Sequence, residues 1–287
     1  MDILTPQQKE TFAHDGYLVV EGLLKPVDLA PLINMAAQVV DQQTQALFAE
    51  GKITERHEDQ PFDKRWNEVY RQCALEQPQF AWHTVVFSQA LFNLITHPRV
   101  LDLIEAFVGP EIQFNGDFWV RPKLPSERIT TLPWHQDSAY MPETENDLYL
   151  TLWIPLVDVN ERNGTLQYIP GSHRLGLQAM HKVEGERFKV PVHDPGLAAE
   201  QIDTLKIKVG DTLIFNNLVF HRSLVNQSEG IRWSTDFRYS AADTSLYDLW
   251  HKTLAFTARS ERNPDQVATW EQWQAQWNAS AHKNSLM

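Results

Sequence analysis

The stretch PWHQDSAY at residues 133–140 places a histidine and an aspartate two positions apart. If the backbone is extended there, the side chains of His135 and Asp137 point the same way and can offer one nitrogen and one oxygen to a metal ion. A lone His-x-Asp triplet is weak evidence, because it can equally be an ordinary polar patch. The metal hypothesis therefore needs a third ligand from another part of the chain.

His221 is the candidate for that third ligand, since it follows the apolar end of DTLIFNNLVF (211–220). A histidine in such a place is more often a packing residue than a ligand. Together with His135 and Asp137, however, it would supply two nitrogens and one carboxylate on one face of an octahedron. The three positions left open suit non-haem Fe(II), which must bind a cosubstrate and O2 there.

Arg232 is the candidate partner of such a cosubstrate. Iron of this kind needs an electron source, and a bidentate dicarboxylate such as 2-oxoglutarate would supply it. The distal carboxylate then needs a buried planar cation, a role in which the two-pronged guanidinium is better than an ammonium. A turn around 226–230 precedes Arg232, so a hairpin would bring it near His221 on an adjacent strand.

Strands dominate the part of the chain that carries these residues. Apolar and polar side chains alternate with a period of two, which is typical of antiparallel strands. The alternating stretches are EIQFNGDFWV (111–120), DLYLTLWIPLVDV (147–159), DTLIFNNLVFHRS (211–223) and IRWSTDFRYS (231–240). The sequence therefore predicts one domain, 1–287, with a β-sandwich or barrel core at 111–240, a mostly helical layer at 1–110 and a helical segment at 241–287.

The flanking segments predict further elements. Thr5 followed by Pro6 is typical of a helix start, here over 5–14. The C-terminal tryptophans at 270, 273 and 277 share one helical face, which favours docking on the body of the protein over an oligomer contact. The other predicted elements are a strand at 16–24, helices at 26–49 and about 86–107, and a charged surface loop or lid at 51–66, with 51–72 shaping the mouth of the site.

Composition narrows the class of protein. With 43% hydrophobic and 11% aromatic residues the chain can bury a sizeable core, and its formal charge of −12 argues against a nucleic-acid partner. Cys73 is the single cysteine, so no disulfide within the chain is expected. We find no signal pattern and no apolar run of membrane-spanning length, so a cytoplasmic protein without a membrane partner is expected. Monomer and homo-oligomer both remain open.

The chain resembles the phytanoyl-CoA dioxygenase family of Fe(II)/2-oxoglutarate oxygenases. The residues that carry the resemblance are FAHDGYLVVEGLL (12–24), WHQD (134–137), LWIPLVDVNERNGTLQYIPGSHR (152–174) and FHRS with GIR (220–223 and 230–232). The resemblance implies a double-stranded β-helix, that is, a jelly-roll and cupin-like barrel. It also implies Fe(II), 2-oxoglutarate and O2 as cofactor and cosubstrates, and oxidation of a small molecule with release of succinate and CO2.

The resemblance further implies roles for individual residues. His135, Asp137 and His221 look like the iron ligands, and Arg232 looks like the clamp for the distal carboxylate of 2-oxoglutarate. Further cosubstrate contacts are implied at Ser223, Gln136 and Trp153. Related halogenases replace the aspartate by a small residue, so Asp137 argues against halogenation. Hydroxylation is the default outcome, and desaturation or demethylation stays open.

The substrate pocket is predicted less sharply. Gln113, Asn115, Asp117, Trp119 and Arg121 share one face of a strand, which either lines the barrel or meets water. An inward face would fit a small polar or zwitterionic, amino-acid-like substrate. An acyl-CoA would need a basic patch for its phosphates. The acidic total disfavours such a substrate, although the local cluster Arg121-Lys123-Arg128 could still serve. Candidate substrate contacts are Asp117, Trp119, Tyr140, Met141 and Arg238, although Arg238 could equally face water.

Two other classes compete with this interpretation. One is a cupin-type metalloenzyme that does not use 2-oxoglutarate, and the other is a catalytically inactive barrel that only binds a ligand. Arg232 counts against the first, because a buried guanidinium without a dicarboxylate is costly. The intact ligand set counts against the second.

Overall fold

The computed structural model describes residues 3–73, 82–126, 130–140, 147–182, 189–191, 201–242 and 254–280. Its helices are α1 (Pro6–Asp15), α2 (Pro26–Ala49), α3 (Phe62–Gln72), α4 (Trp82–Val85), α5 (Gln89–Ile95), α6 (Pro98–Val108) and α7 (Trp270–Ala279). Its strands are β1 (Tyr17–Val20), β2 (Ile112–Lys123), β3 (Tyr149–Pro155), β4 (Leu166–Tyr168), β5 (Met180–Lys182), β6 (Lys189–Pro191), β7 (Asp203–Thr204), β8 (Thr212–Asn216), β9 (His221–Ser223), β10 (Arg232–Ala241) and β11 (Phe256–Arg259).

Two antiparallel sheets form the core. The larger sheet has the strand order β1-β8-β3-β10-β2-β11, and the smaller has the order β7-β4-β9. Apolar side chains from both sheets meet in one cluster, with Trp153 and Leu213 from the larger sheet and Leu166 and Tyr168 from the smaller. This face-to-face packing confirms the predicted jelly-roll core.

Strand β10 shows how the alternation builds the two faces of the larger sheet. Trp233, Phe237 and Tyr239 are fully buried in the core that the sheet shares with the helices. The residues between them, including Asp236 and Arg238, are also buried but lie on the opposite face, toward the smaller sheet. The polar alternate face of β10 is therefore the inside of the barrel and not a solvated surface.

The helices cover the outer face of the larger sheet. Trp233 of β10 stacks on Phe62 of α3, with ring centroids 4.8 Å apart. Trp273 of α7 is fully buried, and Trp277 stacks on Phe87 at 4.2 Å between centroids. The predicted docking of the C-terminal helix on the body of the protein is confirmed.

The flanking segments contain strands as well as helices. The segment 241–287 is not only helical, because β11 adds a strand to the edge of the larger sheet beside β2. The strand predicted at 16–24 is confirmed as β1, which joins the same sheet beside β8. The helices predicted at about 86–107 are α5 and α6, which are separate because Pro98 cannot continue α5 and instead starts α6. None of the described helices combines the length and the apolar character that crossing a membrane requires.

The predicted charged loop at 51–66 ends in helix α3, whose charged residues conceal an apolar face. Trp66 and Val69 are buried on that face, while the charged residues are half-buried, apart from the exposed Arg71. Helix α3 is tied to the turn before β10, because the backbone N–H of Ile231 donates to the carbonyl of Asp63. Helix α3, which belongs to the segment 51–72 expected at the mouth of the site, thus holds the backbone just before Arg232.

Candidate metal centre and cosubstrate pocket

The two candidate histidine ligands face each other across a single antiparallel bridge. The backbone N–H of His135 donates to the carbonyl of His221, and the reverse bond is also made, both at 3.0 Å. Directly opposed residues of an antiparallel pair project their side chains to the same side. The two imidazole centroids accordingly lie 4.1 Å apart.

Backbone carbonyls fix the tautomer of both rings. The Nδ1 of His135 lies 2.8 Å from the carbonyl oxygen of Pro133, and the Nδ1 of His221 lies 3.1 Å from that of Val219. A carbonyl oxygen can only accept, so each Nδ1 carries the proton. Both Nε2 atoms therefore keep a lone pair for a metal ion.

Asp137 completes the group, although not from the extended strand that the sequence suggests. Only His135 pairs like a strand residue, and Asp137 begins a short 3-10 helix that runs to Tyr140. Its Oδ1 lies 3.7 Å from Nε2 of His135 and 3.5 Å from Nε2 of His221. All three ligand atoms lie within 4.8 Å of one another, and all three residues are buried. Bonds of about 2.0–2.2 Å to one octahedral ion would place adjacent ligand atoms about 3.0 Å apart, so the two distances from Asp137 would shorten by about 0.5–0.7 Å.

Burial and the neighbouring charges set the protonation of these groups. Burial lowers the pKa of His135 to about 3 and also lowers that of His221. Burial alone would raise the pKa of Asp137, but Arg238 and the two histidines outweigh it and hold that pKa at about 2. At neutral pH the site therefore offers two neutral nitrogens and one carboxylate, which is the form that binds a metal ion.

Arg232 lies at the start of β10 with its guanidinium over the ring of Trp153, 5.5 Å from the centroid. Its Nη1 donates to Ser234 Oγ at 2.6 Å, while its buried Nε has no hydrogen-bond partner. No carboxylate among the described residues forms an ion pair with it. Burial, followed by repulsion from Arg121, lowers the pKa of Arg232 to about 9. This buried cation is therefore charged at neutral pH.

Lys123 is a second buried cation beside Arg232, and the sequence indicates it only as a member of the possible basic patch for an acyl-CoA. The two residues pair in register between β2 and β10, and Lys123 is fully buried. Its Nζ donates to Ser223 Oγ at 2.9 Å and to the carbonyl of Thr130 at 3.0 Å. The period-two face of β2 that holds Asp117 also contains Lys123, so extending that pattern would have found it.

The hairpin expected between His221 and Arg232 is wrong, because the two residues lie in different sheets. Strand β9, with His221 and Ser223, pairs with β4 of the smaller sheet, whereas β10 pairs with β2 and β3 of the larger one. The turn at 226–230 instead crosses from one sheet to the other. Ser223 is linked to Arg232 indirectly, because its Oγ accepts from Lys123, which lies opposite Arg232 in the larger sheet. The same Oγ also accepts from the N–H of Leu132 at 2.9 Å.

Gln136, expected at the cosubstrate, is fully buried and bonded to backbone. Its Nε2 donates to the carbonyls of Gly176 at 2.9 Å and Leu218 at 2.6 Å, and its Oε1 accepts from the N–H of Gln178 at 2.8 Å. Both N–H donors of the amide are thus used. The side chain ties the segment between the two metal ligands to its neighbouring loops, and its contact with the cosubstrate stays a prediction.

The inner face of β2 and β10 holds a network of charges. Arg238 makes ion pairs with Asp236 at 2.5 Å, Asp117 at 3.2 Å and Asp137 at 3.6 Å. Arg121 pairs with Asp236 at 2.8 Å and lies over Trp119, 4.6 Å from the ring centroid. The polar faces of these two strands therefore line the barrel and do not simply meet water.

This network bears on two further expectations. Arg238, a predicted substrate contact, is surrounded by three carboxylates, and its contact with substrate stays a prediction. The proposed basic patch for an acyl-CoA does not form at the surface, because Lys123 is buried and Arg121 pairs inside the barrel. Arg128, its third member, lies outside the described residues.

The remaining candidates for substrate contact lie around this network. Trp119 and Asp117 are half-buried, and Trp119 Nε1 donates to Asp117 Oδ1 at 2.9 Å. Tyr140 is 39% exposed, and its ring meets the imidazole of His135 edge-on at 5.8 Å between centroids. Met141 lies outside the described residues.

Comparison with known proteins points to one family. Residues 12–234 match the family model described as phytanoyl-CoA dioxygenase (PhyH). The peroxisomal phytanoyl-CoA dioxygenase of Homo sapiens is 23% identical over 266 residues, covering 86% of this chain and 72% of the relative. A probable alpha-ketoglutarate-dependent hypophosphite dioxygenase of Stutzerimonas stutzeri is 26% identical over 242 residues, covering 83% and 79%.

A solved structure supports the same fold. EctD from S. alaskensis, crystallised with 2-oxoglutarate and 5-hydroxyectoine, superposes with a TM-score of 0.56 at 21% identity, covering 83% of this chain and 77% of its own. The family match extends over the helical layer, the jelly-roll and both halves of the candidate metal centre. The chain therefore belongs to the phytanoyl-CoA dioxygenase family of Fe(II)/2-oxoglutarate-dependent oxygenases.

Proposed function

We propose that the protein oxidises, by hydroxylation as the default outcome, a small polar metabolite, with 2-oxoglutarate and O2 as cosubstrates. In this proposal Fe(II) is bound by His135, Asp137 and His221. The observation that carries it is the convergence of these three ligand atoms within 4.8 Å in a barrel that also holds the buried guanidinium of Arg232, which forms no ion pair with a carboxylate of the described residues.

The donor set fits ferrous iron. Two imidazole nitrogens and one carboxylate oxygen on one side leave three positions of an octahedron for cosubstrate and O2, a pattern typical of non-haem Fe(II) oxygenases. Structural zinc sites, in contrast, are closed by four protein ligands. No fourth histidine, cysteine or carboxylate joins the group among the described residues.

The pocket beside the metal centre fits a dicarboxylate. Arg232 would bind the distal carboxylate through its guanidinium, and Lys123, paired with it in register, would supply a second positive charge. Ser223 would lie within reach through its bond to Lys123. Trp153, under the guanidinium, forms the apolar wall. A buried Arg232 without such an anion would be costly, which disfavours a cupin-type enzyme that does not use 2-oxoglutarate.

The chain's own residues then have separable tasks. When bound, Fe(II) and 2-oxoglutarate would activate O2 and supply the oxidant that transfers one oxygen atom to the substrate, with release of succinate and CO2. His135, Asp137 and His221 fix the ion on one side, and Arg232 orients the cosubstrate. Both rings hold their Nδ1 protons on backbone carbonyls, so neither releases a proton to the reaction. The burial of the three ligands would limit the access of water to the centre.

The substrate pocket would be bounded by Asp117, Trp119 and Tyr140. These side chains are partly exposed and adjoin the metal ligands, through Arg238 in the case of Asp117 and by direct ring contact in the case of Tyr140. Their mixture of one acid and two aromatic rings suits a small, polar or zwitterionic substrate, as predicted from the sequence. The single, buried cysteine, Cys73, is compatible with the cytoplasmic location expected from the sequence.

Anaerobic titration of the protein with Fe(II) and 2-oxoglutarate tests the proposal. The chelate should produce a weak visible charge-transfer band in the wild-type protein, and Asp137→Ala should lose oxygenase turnover. Succinate release in a screen of small polar compounds would then identify the substrate. Iron binding without the band, or wild-type-like turnover of Asp137→Ala, would refute the assignment.

A further inference from the structure

The two carboxylate oxygens of Asp137 have different surroundings. Oδ1 faces the metal position and lies within 3.7 Å of both histidine Nε2 atoms. Oδ2 points the other way, where it accepts a hydrogen bond from Thr151 Oγ1 at 2.7 Å. The Nη2 of Arg238 lies 3.6 Å from the same oxygen. One oxygen is therefore directed to the metal, and the other is held by the barrel wall.

The two groups that hold Oδ2 come from one rigid place in the larger sheet. Thr151 of β3 and Arg238 of β10 are directly opposed in register, and both are buried. Because opposed side chains of an antiparallel pair are neighbours on the same face, they reach the carboxylate together. Their relative position is set by backbone pairing and not by a loop.

Arg238 is itself immobilised by two further carboxylates. The pairing of β10 with β2 has a bulge opposite Arg238, where Gly116 adopts a φ of +83°. The bulge places Asp117 beside Arg238 Nε at 3.2 Å, while Asp236 holds Nη1 at 2.5 Å. Three edges of the guanidinium thus meet three different acids. Arg238 has a fixed geometry and is already compensated for charge.

We propose that Thr151 and Arg238 are positioning residues that hold Asp137 through Oδ2, so that it presents Oδ1 alone to the metal ion. This inference rests on the proposed function and adds to it the device that keeps the aspartate monodentate. A carboxylate free to rotate could bind through both oxygens and occupy one of the positions that cosubstrate and O2 require. Thr151 and Arg238 oppose that rotation.

Binding of Co(II) by the otherwise metal-free protein tests the inference without turnover. Co(II) accepts the same donors as Fe(II), and its visible absorption depends on the number and geometry of its ligands. The variants are Thr151→Val, which removes the hydroxyl at nearly constant volume, Thr151→Ser, which keeps it, and Arg238→Lys. We expect Thr151→Val and Arg238→Lys to weaken Co(II) binding about 10- to 100-fold and to change the absorption spectrum. Thr151→Ser should behave like the wild type.

Arg259→Gln is the matched control, because Arg259 also bridges acids, Glu105 and Asp102, but at the edge of the molecule. It should leave both Co(II) affinity and spectrum unchanged even if it lowers the melting temperature. If Arg238→Lys fails to fold, the Thr151 pair decides the question alone. Unchanged affinity and spectrum in Thr151→Val would overturn the positioning role. Failure of the wild type to bind Co(II) at all would instead overturn the proposed function.

Discussion

His135 and His221, far apart in the chain, exchange both backbone hydrogen bonds and place their imidazole rings 4.1 Å apart. Each Nδ1 also bonds to the carbonyl two residues earlier, at Pro133 and Val219. Both histidines therefore have the same Nδ1-to-carbonyl hydrogen bond, and one antiparallel bridge joins them. The spacing and tautomer of both nitrogen ligands follow from main-chain pairing, so the centre is organised before any metal ion arrives.

The buried, neutral histidines predict that the metal-free protein loses stability in acid. The pKa of His135 is about 3 in the folded protein, whereas an unfolded histidine titrates near 6.5. Between these values the unfolded chain binds more protons, so the free energy of unfolding falls as the pH falls. Each fully shifted histidine should cost about 1.4 kcal/mol between pH 7.5 and pH 5.5.

Urea denaturation of the metal-free protein at the two pH values measures this loss. The variant His135→Gln keeps a polar side chain but cannot titrate, so its stability should depend less on pH. Asp137, whose pKa is also lowered in the fold, adds a loss of the same sign only below about pH 4. A variant with the full pH dependence of the wild type would show that His135 is not the cause.

Arg232→Ala should raise the dissociation constant for 2-oxoglutarate far more than that for the metal ion. Removing one partner of a buried charge pair typically costs about 2–5 kcal/mol, which corresponds to at least 30-fold in affinity. Metal affinity should change little, because Arg232 does not contact the three ligands. Titration of the Fe(II)-loaded protein with 2-oxoglutarate, and of the free protein with Fe(II) alone, separates the two effects.

Arg222→Ala is the matched control for Arg232. The Arg222 guanidinium also lies over a tryptophan, Trp134, at 4.7 Å from the ring centroid, and it also donates to a neutral side chain, Gln167. It alternates with His221 and Ser223 on β9 and therefore points away from the barrel interior. Equal losses of 2-oxoglutarate affinity in the two variants would remove the clamp role from Arg232.

The residues nearest the chemistry were the most predictable from sequence. Side-chain types identified His135, Asp137, His221 and Arg232, because few combinations of donors suit iron and a dicarboxylate. Alternation along β10 also separated its inner from its outer face. What could not be predicted depends on the register between strands that are distant in sequence. The partnership of Arg238 with Asp137 requires knowing that β10 lies between β2 and β3.

Other elements escaped prediction for local reasons. Strand β11 has four residues, too few to show a period of two against its surroundings. Helix α3 has so many charged residues that its few buried positions, among them Trp66 and Val69, do not form a recognisable apolar pattern in the sequence. The backbone contacts of Gln136 depend on loops at 176–178 and 218, which no pattern within the triplet WHQD reveals. Tertiary context decided these cases.

Gln136→Leu should destabilise the protein and weaken metal binding. The change removes the Gln136 hydrogen bond from the carbonyls of Gly176 and Leu218 and from the N–H of Gln178. The cost is about 1–3 kcal/mol for each of these groups that is left buried without a partner. The segment between His135 and Asp137 would also lose its tether. Denaturation and Co(II) titration should both show the effect. Gln167→Leu, whose bonds are made only to side chains, should leave Co(II) affinity intact.

Trp273→Ala should destabilise the whole domain, because Trp273 joins α7 to the outer face of β2. The side chain is fully buried, its Nε1 donates to the carbonyl of Leu254 at 2.9 Å, and its ring lies 5.6 Å from Phe118 and 6.1 Å from Phe114. Truncation of a buried tryptophan typically costs about 3–5 kcal/mol.

Trp270, three residues earlier on the same helix, is only half-buried and provides the comparison. Trp270→Ala should cost clearly less in urea denaturation than Trp273→Ala. Strand β2 carries Asp117 and Lys123 on its inner face, so loss of packing on its outer face should also disturb the metal centre. Near its unfolding midpoint, Trp273→Ala should therefore bind Co(II) more weakly. Equal destabilisation by the two variants would mean that α7 is not anchored through Trp273. In that case the C-terminal helix would contribute to stability by its general coverage of the sheet.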